Sequence, residues 1–362
     1  MKKNRILKTT VWLVLLVFSI IVAGCSAPNS KSQDSTGATA STPPQLKKLK
    51  VGYNATGGSL LSFIAQDQGL FQKAGLDVEL IPFSSTSDGL NALSSGKIDL
   101  GVSFGTGGPL TLISNGADFV IIGGHLSGGH PIIALPERAN EFKTMQDYKG
   151  KTVAVPRLFT SDIVWRGGLA KAGLDYKTDV NIIESKTAPA VLEAVKSGKV
   201  DVGIGTSSIY LQAKEAGMAI VGWSNDIFPE HPCCRIVARG EAVTKDPAVY
   251  QAYLEAIIQA EKLKSENPEL AVAVNKKFLN LDDAQAQDFT LEPHQNTTAD
   301  PNRKGVLKMW EEMHNIGYIQ GNVDIEQHIN TALYKKALTS VEQKYPNDKY
   351  YQMLEEQFAR QN

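Results

Sequence analysis

Cysteine is nearly absent from this chain of 362 residues: three in all, at positions 25, 233 and 234. The last two are neighbours and the first stands near the N-terminus, so no long-range disulfide framework can be drawn. Charge of one sign is lacking too, with 37 Lys and Arg against 38 Asp and Glu. No part is strongly basic, which argues against nucleic acid as a partner. A membrane-spanning run is also missing. The apolar stretch from Val11 to Ala23, broken only by Ser19, falls short of the ~20 residues a spanning helix needs.

What is present at the N-terminus has the layout of an export signal. Lys2, Lys3, Arg5 and Lys8 precede the apolar stretch, which ends in Val22-Ala23-Gly24-Cys25. This predicts a signal peptide over 1–24 and, because the ending resembles the bacterial lipobox, a lipid on Cys25. Several acyl chains on one Cys make a stable anchor, which places the chain at the extracytoplasmic face of a cell membrane. Ser, Thr, Pro and Gly then dominate as far as residue 46, with nothing to bury, so 25–46 reads as the anchor Cys and a flexible linker. Without residues 1–24 the chain keeps 33 basic and 38 acidic side chains, a net charge of −5.

The globular part writes one segment twice. Residues 90–101 and 192–203 share Leu, Ala, Ser, Gly, Lys, Asp and a closing Gly at matching places. Each copy reads as a helix end, a Gly stop and a short buried strand. A second echo, Lys73-Ala-Gly-Leu-Asp77 and Lys171-Ala-Gly-Leu-Asp175, keeps the same order. Two copies about a hundred residues apart predict two similar α/β lobes, and the groove between lobes is where small ligands bind. Apolar runs near 48–53, 76–81, 98–104 and 119–122 alternate with helical patterns, as do those near 130–135, 151–155, 180–183, 200–204 and 219–223, which predicts parallel βαβ units. After residue 246 the pattern is largely helical, with helices expected over 248–267, 268–278, 282–289, 301–315 and 332–338. The expected division is lobe 1 over 47–127 and 233–350, the latter carrying the C-terminal helices, and lobe 2 over 128–232.

Ligands of open sheets sit beyond the carboxyl ends of the strands, where helix N-termini present free N–H groups. The loops at those places are rich in hydroxyls and glycines: Asn54, Thr56 and Gly58; Ser85 and Thr86; Gly105 and Thr106; Phe159, Thr160 and Ser161; Thr206. Single Ser and Thr residues are ordinary helix caps, so the grouping of five such loops is what counts. Arg157 is a cation in the same region, and a guanidinium matches an oxyanion with paired hydrogen bonds.

Four strings carry a family likeness: Leu49-Lys-Val-Gly-Tyr53, the run from Ile64 to Val78, the run from Leu93 to Gly101, and Tyr148-Lys-Gly-Lys-Thr-Val-Ala-Val-Pro156. They resemble the nitrate/sulfonate/taurine (and thiamine-precursor) solute-binding proteins of ABC transporters. The resemblance runs from about Lys47 to Leu270. It implies a periplasmic-binding-protein type II fold, two α/β lobes that close on a ligand. It also implies a permease and ATPase complex as partner, a monomer, no enzymatic activity and no cofactor. A small anionic ligand of the sulfonate or nitrate kind is the first expectation; a thiamine-precursor-like heterocycle is the alternative.

His231-Pro-Cys233-Cys234-Arg235 departs from that family pattern. It falls near the second crossover between lobes, and His125 and His130 fall near the first. His130 is therefore expected in the cleft. Cys233, Cys234 and His231 are candidate metal ligands, while adjacent cysteines also form vicinal disulfides or stay reduced as small apolar residues. Gly101-Val-Ser103-Phe-Gly105 matches a hydrolase nucleophile elbow. The duplicate lobe has Gly203-Ile-Gly205 there, without the serine, so a structural loop is expected.

Overall fold

In the computed structural model residues 46–362 are described. The signal peptide, Cys25 and almost all of the linker expected from the sequence lie outside them. Strands β1 (Lys47–Asn54), β2 (Leu76–Phe83), β3 (Leu100–Gly101) and β4 (Phe119–Gly128) come first. Then follow β5 (Pro131–Ala134), β6 (Thr152–Pro156), β7 (Asn181–Ser185), β8 (Val202–Ile204) and β9 (Ala219–Trp223). The chain returns through β10 (Pro232–Arg239) and ends its strands with β11 (Gln295–Asn296). They form two sheets, ordered β11-β4-β10-β3-β1-β2 and β7-β6-β8-β5-β9. Each sheet, with its helices, is one α/β lobe.

Neither sheet is wholly parallel. β1 runs parallel to β2 and β3, but β10 is antiparallel to β3 and β4. In the other sheet β6 is parallel to β7 and β8, while β5 is antiparallel to β8 and β9. The reason is connectivity: β5 and β10 are entered from the other lobe, so they do not arrive by a local helical crossover. β4 extends six residues beyond the expected apolar run, and all ten of its residues are buried, since it lies between β10 and β11 within the sheet.

The doubled segment is explained by hydrogen bonding. Gly96 and Gly198 each end a helix with φ of 71° and 68°, a conformation that glycine adopts without strain. Asp99 then binds β1: its carboxylate accepts the Lys50 N–H at 2.8 Å, and its own N–H reaches the Lys50 carbonyl. Asp201 repeats this on β6, accepting the Thr152 N–H at 2.7 Å. Each copy thus pins its short strand onto the neighbouring parallel strand of its own lobe, β1 in one and β6 in the other.

Of the C-terminal helices, Pro247–Glu266 packs on the first lobe, whereas Arg303–Asn315 also touches the helix Thr160–Lys171 of the second. Tyr253, Leu254, Ile257 and Ile258 from the helix Pro247–Glu266 are fully buried beside Phe63, Ile64 and Phe71. Such side chains each contribute roughly 1.5–3 kcal/mol through burial. A last helix, Lys349–Gln361, runs past the residue 350 at which the sequence placed the end of lobe 1. Asp348 caps it, and Tyr351 and Leu354 join the same core.

Two crossovers join the lobes. Gly128 and Gly129, at φ 70° and 84°, turn the chain out of β4, and the segment Ser224–His231 brings it back. The crossovers bind each other: Gly128 N–H donates to the His231 carbonyl at 3.1 Å, and Ser224 N–H donates to that of His130 at 2.9 Å.

Candidate functional site

Among the places where the lobes meet are three residues that sequence reading placed in the cleft or beside it. Thr160 begins the helix Thr160–Lys171 in the second lobe. Its hydroxyl oxygen accepts the N–H of Thr106 at 3.0 Å and that of Gly107 at 3.4 Å, at the N-terminus of the helix Gly107–Ser114 in the first lobe. The same hydroxyl donates to the Cys233 carbonyl at 3.1 Å, and the Thr106 hydroxyl donates to that carbonyl at 3.1 Å as well. Gly105, at φ 77°, permits this approach: a side chain there would start 3.4 Å from the Thr160 oxygen.

The first lobe's edge is a network of hydroxyls. Ser103 accepts the Asn54 N–H at 2.8 Å, and Ser59 donates to the Asn54 carbonyl at 2.6 Å. Asn54 donates its side-chain amide to Thr86 at 3.1 Å, leaving its Oδ1 buried without a partner. Ser103 is therefore a tie between the loops after β1 and β3. None of its hydrogen-bond partners is an imidazole, as a nucleophile would need. Gly58 lies directly over the returning strand, and a Cβ there would sit 2.6 Å from the Cys234 sulfur.

Around the crossovers stand neutral imidazoles. His130 and His231 have ring centroids 5.5 Å apart. His231 donates Nδ1–H to the Phe228 carbonyl at 2.8 Å, so its Nε2 is an unpaired acceptor. Both ring nitrogens of His130 are buried without partners, as is the Ser161 hydroxyl. Burial, and then the neighbouring His231, holds the His130 imidazolium well below its usual range. Burial likewise lowers His231 to about 4, with the Arg235 charge adding to the effect. His125 lies deeper, lowered to about 3, and bonds Ser62, which bonds Tyr253.

No free cation faces this polar ring from the residues the sequence nominated. Arg157 is exposed and paired with Glu184 at 3.0 Å. Glu184 also binds Arg166, which holds the buried Asp162 at 2.7 Å. Arg157 is thus the outer end of an ion-pair ladder, with its guanidinium engaged by Glu184. Arg235 is fully buried and gives its two terminal nitrogens to the carbonyls of Asp300 and Leu126 and to Ser127, while its Nε has no partner.

Other nominated residues serve local structure. Ser85 caps a helix and bonds Asp88. The Thr56 hydroxyl accepts the Gly58 N–H, and Thr206 bonds Ser208. Phe159 is half-buried just before the helix that Thr160 opens. The metal expectation for Cys233, Cys234 and His231 finds no geometry: among the described residues no three His, Cys, Asp or Glu side chains group as a metal site. Gln295 was missed by sequence reading. It is buried, its Nε2 is unpaired, and it packs against Gly57 and Gly129 beside both crossovers. It lies in a two-residue strand within the helical C-terminal third, where neither periodicity nor motif marks it.

Two α/β lobes, joined by paired crossovers and meeting over buried hydroxyls and imidazoles, define the periplasmic-binding-protein fold. The chain belongs to the NMT1-like family, whose model matches residues 42–277. A Brucella abortus protein named only as a binding protein is 29% identical over 247 residues, covering 66% of this chain and 74% of that one. An Escherichia coli protein named for aliphatic sulfonates is 26% identical over 288 residues, covering 78% and 88%. The crystal structure of the periplasmic nitrate-binding protein of Synechocystis superposes with a TM-score of 0.70 at 18% identity, covering 83% of this chain and 90% of that one. The family and its structural neighbours are substrate-binding proteins rather than enzymes.

Proposed function

We propose that this chain is the solute receptor of an ABC importer, held at the extracytoplasmic face of a membrane by lipid on Cys25. It captures a small polar ligand between its lobes and presents it to a permease and ATPase complex. The observation that carries this reading is the set of unpaired buried polar atoms around the lobe junction: Asn54 Oδ1, Ser161 Oγ, His231 Nε2 and both nitrogens of His130. Buried polar atoms ordinarily have partners, and a ligand with both donors and acceptors would supply them.

The lining also bears on ligand class. Neutral imidazoles, hydroxyls and the N-terminus of the helix Thr160–Lys171 suit oxygen-rich groups of the nitrate or sulfonate kind. Such a ligand would be held without a guanidinium clamp, since Arg157 pairs with Glu184. The unpaired acceptors on Asn54 and His231 favour a second reading, a neutral heterocycle carrying N–H groups, which corresponds to the thiamine-precursor-like alternative.

The test is calorimetry with three probes: nitrate, a short alkanesulfonate and an aminopyrimidine. Binding of one probe, weakened at least tenfold by His130→Ala and by Ser161→Ala, supports the site. Binding that ignores both substitutions overturns it. Native mass spectrometry of protein purified from its own host, retaining one small molecule, would identify the cargo directly.

A further inference from the structure

We propose that Cys233 and Cys234 form a reversible redox site, at which a hydroperoxide oxidises the two thiols to a vicinal disulfide and thereby loosens the junction between the lobes. Both cysteines are free and buried, and their sulfurs are 3.3 Å apart. Neighbours in a regular strand point to opposite faces. Here the pairing of β10 with β4 slips on either side of Cys234, and this irregularity brings the two sulfurs together.

The surroundings divide the work between the sulfurs. The Cys233 S–H, the Arg235 charge and the Gly105 N–H favour the thiolate of Cys234, whereas burial pushes the Cys233 thiol up. A thiolate beside a cation is the nucleophilic form. The Cys234 thiolate attacks the O–O bond of the peroxide, giving a sulfenic acid and, after protonation of the departing oxygen, water (or an alcohol from an organic peroxide). Cys233 then attacks the sulfenyl sulfur, losing its proton and expelling a second water. The two thiols give up two electrons and two protons, and the peroxide takes up both. Adjacent Cα atoms are ~3.8 Å apart, closer than the ~4.4 Å lower limit of ordinary disulfides. The product is therefore strained and readily reduced by a thiol.

The consequence for the lobes follows from the ring that forms. It contains eight atoms, including the Cys233 carbonyl carbon and the Cys234 nitrogen, so closing it turns that peptide unit. The Cys233 carbonyl is the acceptor shared by Thr106 of the first lobe and Thr160 of the second. Oxidation removes the anchor that aims the Thr160 hydroxyl at the N–H groups of Thr106 and Gly107.

The experiment is a hydrogen peroxide series on the folded chain, followed by thiol alkylation, intact mass and amide hydrogen exchange. The expected result is paired loss of the alkylatable thiols of Cys233 and Cys234, a mass lower by two hydrogens, and reversal by dithiothreitol. Exchange at the Thr106 and Gly107 amides should rise about tenfold, corresponding to ~1.4 kcal/mol of lost hydrogen bonding. Cys233→Ala and Cys234→Ala should each abolish the internal disulfide, and in Thr160→Val oxidation should add little further exchange. Intact thiols at Cys233 and Cys234 throughout the series would overturn the proposal. So would disulfides only between chains, or an internal disulfide that leaves exchange at those two amides unchanged. None of these readouts depends on which solute the cleft binds.

Discussion

The hydroxyl oxygen of Thr160 accepts the backbone N–H of Thr106 at 3.0 Å, linking the N-termini of two helices that belong to different lobes. A hydroxyl thereby takes the place at one helix start that a ligand oxygen would suit. It also donates onward to the Cys233 carbonyl, so one side chain serves both lobes and the returning strand.

Thr160→Val keeps the side-chain shape and removes that hydroxyl. The buried N–H groups of Thr106 and Gly107 lose their acceptor, and such a loss costs about 1–3 kcal/mol. Urea denaturation should show a lower midpoint with little change in slope. Thr160→Ser should restore most of the difference, because it retains the oxygen.

Asp99→Ala and Asp201→Ala should have parallel effects in the two lobes. Each removes a carboxylate that accepts a backbone N–H from a neighbouring parallel strand, Lys50 of β1 or Thr152 of β6. A loss of about 1–3 kcal/mol is expected from each, with faster amide exchange at Lys50 in one variant and at Thr152 in the other. Asp201→Ala should be the costlier, because Asp201 also pairs with Arg138.

Glu261 contributes a distinctive pH dependence. It is buried in the first lobe, accepts the Ala299 N–H at 2.8 Å, and lies near Asp300, Lys264, Tyr334 and Tyr350. Burial raises its carboxyl from 4.5 to about 8. Between those values the folded chain holds a proton that the unfolded chain releases. This contribution to stability is full below about pH 4.5 and is lost as pH rises towards 8. The slope is at most about 1.4 kcal/mol per pH unit for one proton. Glu261→Gln should remove it in denaturation curves taken across that range.

The buried imidazoles act in the opposite sense. His125 is lowered to about 3 and His231 to about 4, so the unfolded chain takes up protons first as pH falls. Their contribution is full above about 6.5 and declines towards 4. His231→Gln should flatten the acid side of the stability profile, measured by urea midpoints from pH 4 to 7.

Arg157→Ala should leave ligand affinity within twofold by calorimetry with the three probes named above. Its guanidinium is exposed and engaged with Glu184. Stability should change by no more than about 0.5 kcal/mol, as for most surface substitutions. A tenfold loss of affinity would return Arg157 to the site.

Several features were legible because they are local. The helix stops at Gly96 and Gly198, the strand beginning at Leu76 and the amphipathic stretch around Tyr253 and Ile257 depend on conformational preference and apolar spacing within a few residues. The expected strand over 98–104 shrank to Leu100–Gly101, because the chain turns there to bring Ser103 onto Asn54. The final helix went unread although Tyr351, Leu354 and Phe358 have helical spacing; its apolar face is narrow and most of its surface is polar.

By itself the sequence determined two similar α/β lobes and the hydroxyl-bearing loops beside their junction, since duplication and cap chemistry are written along the chain. Tertiary structure decided which of those groups meet. Thr160 reaches Thr106 across 54 positions, and Cys233 joins them from 73 positions beyond Thr160. Arg157, a few residues from Thr160, turns instead to Glu184. Helical and strand preferences act over single turns. Contacts between lobes depend on how two sheets are set by their crossovers, and no local pattern in the chain encodes that placement.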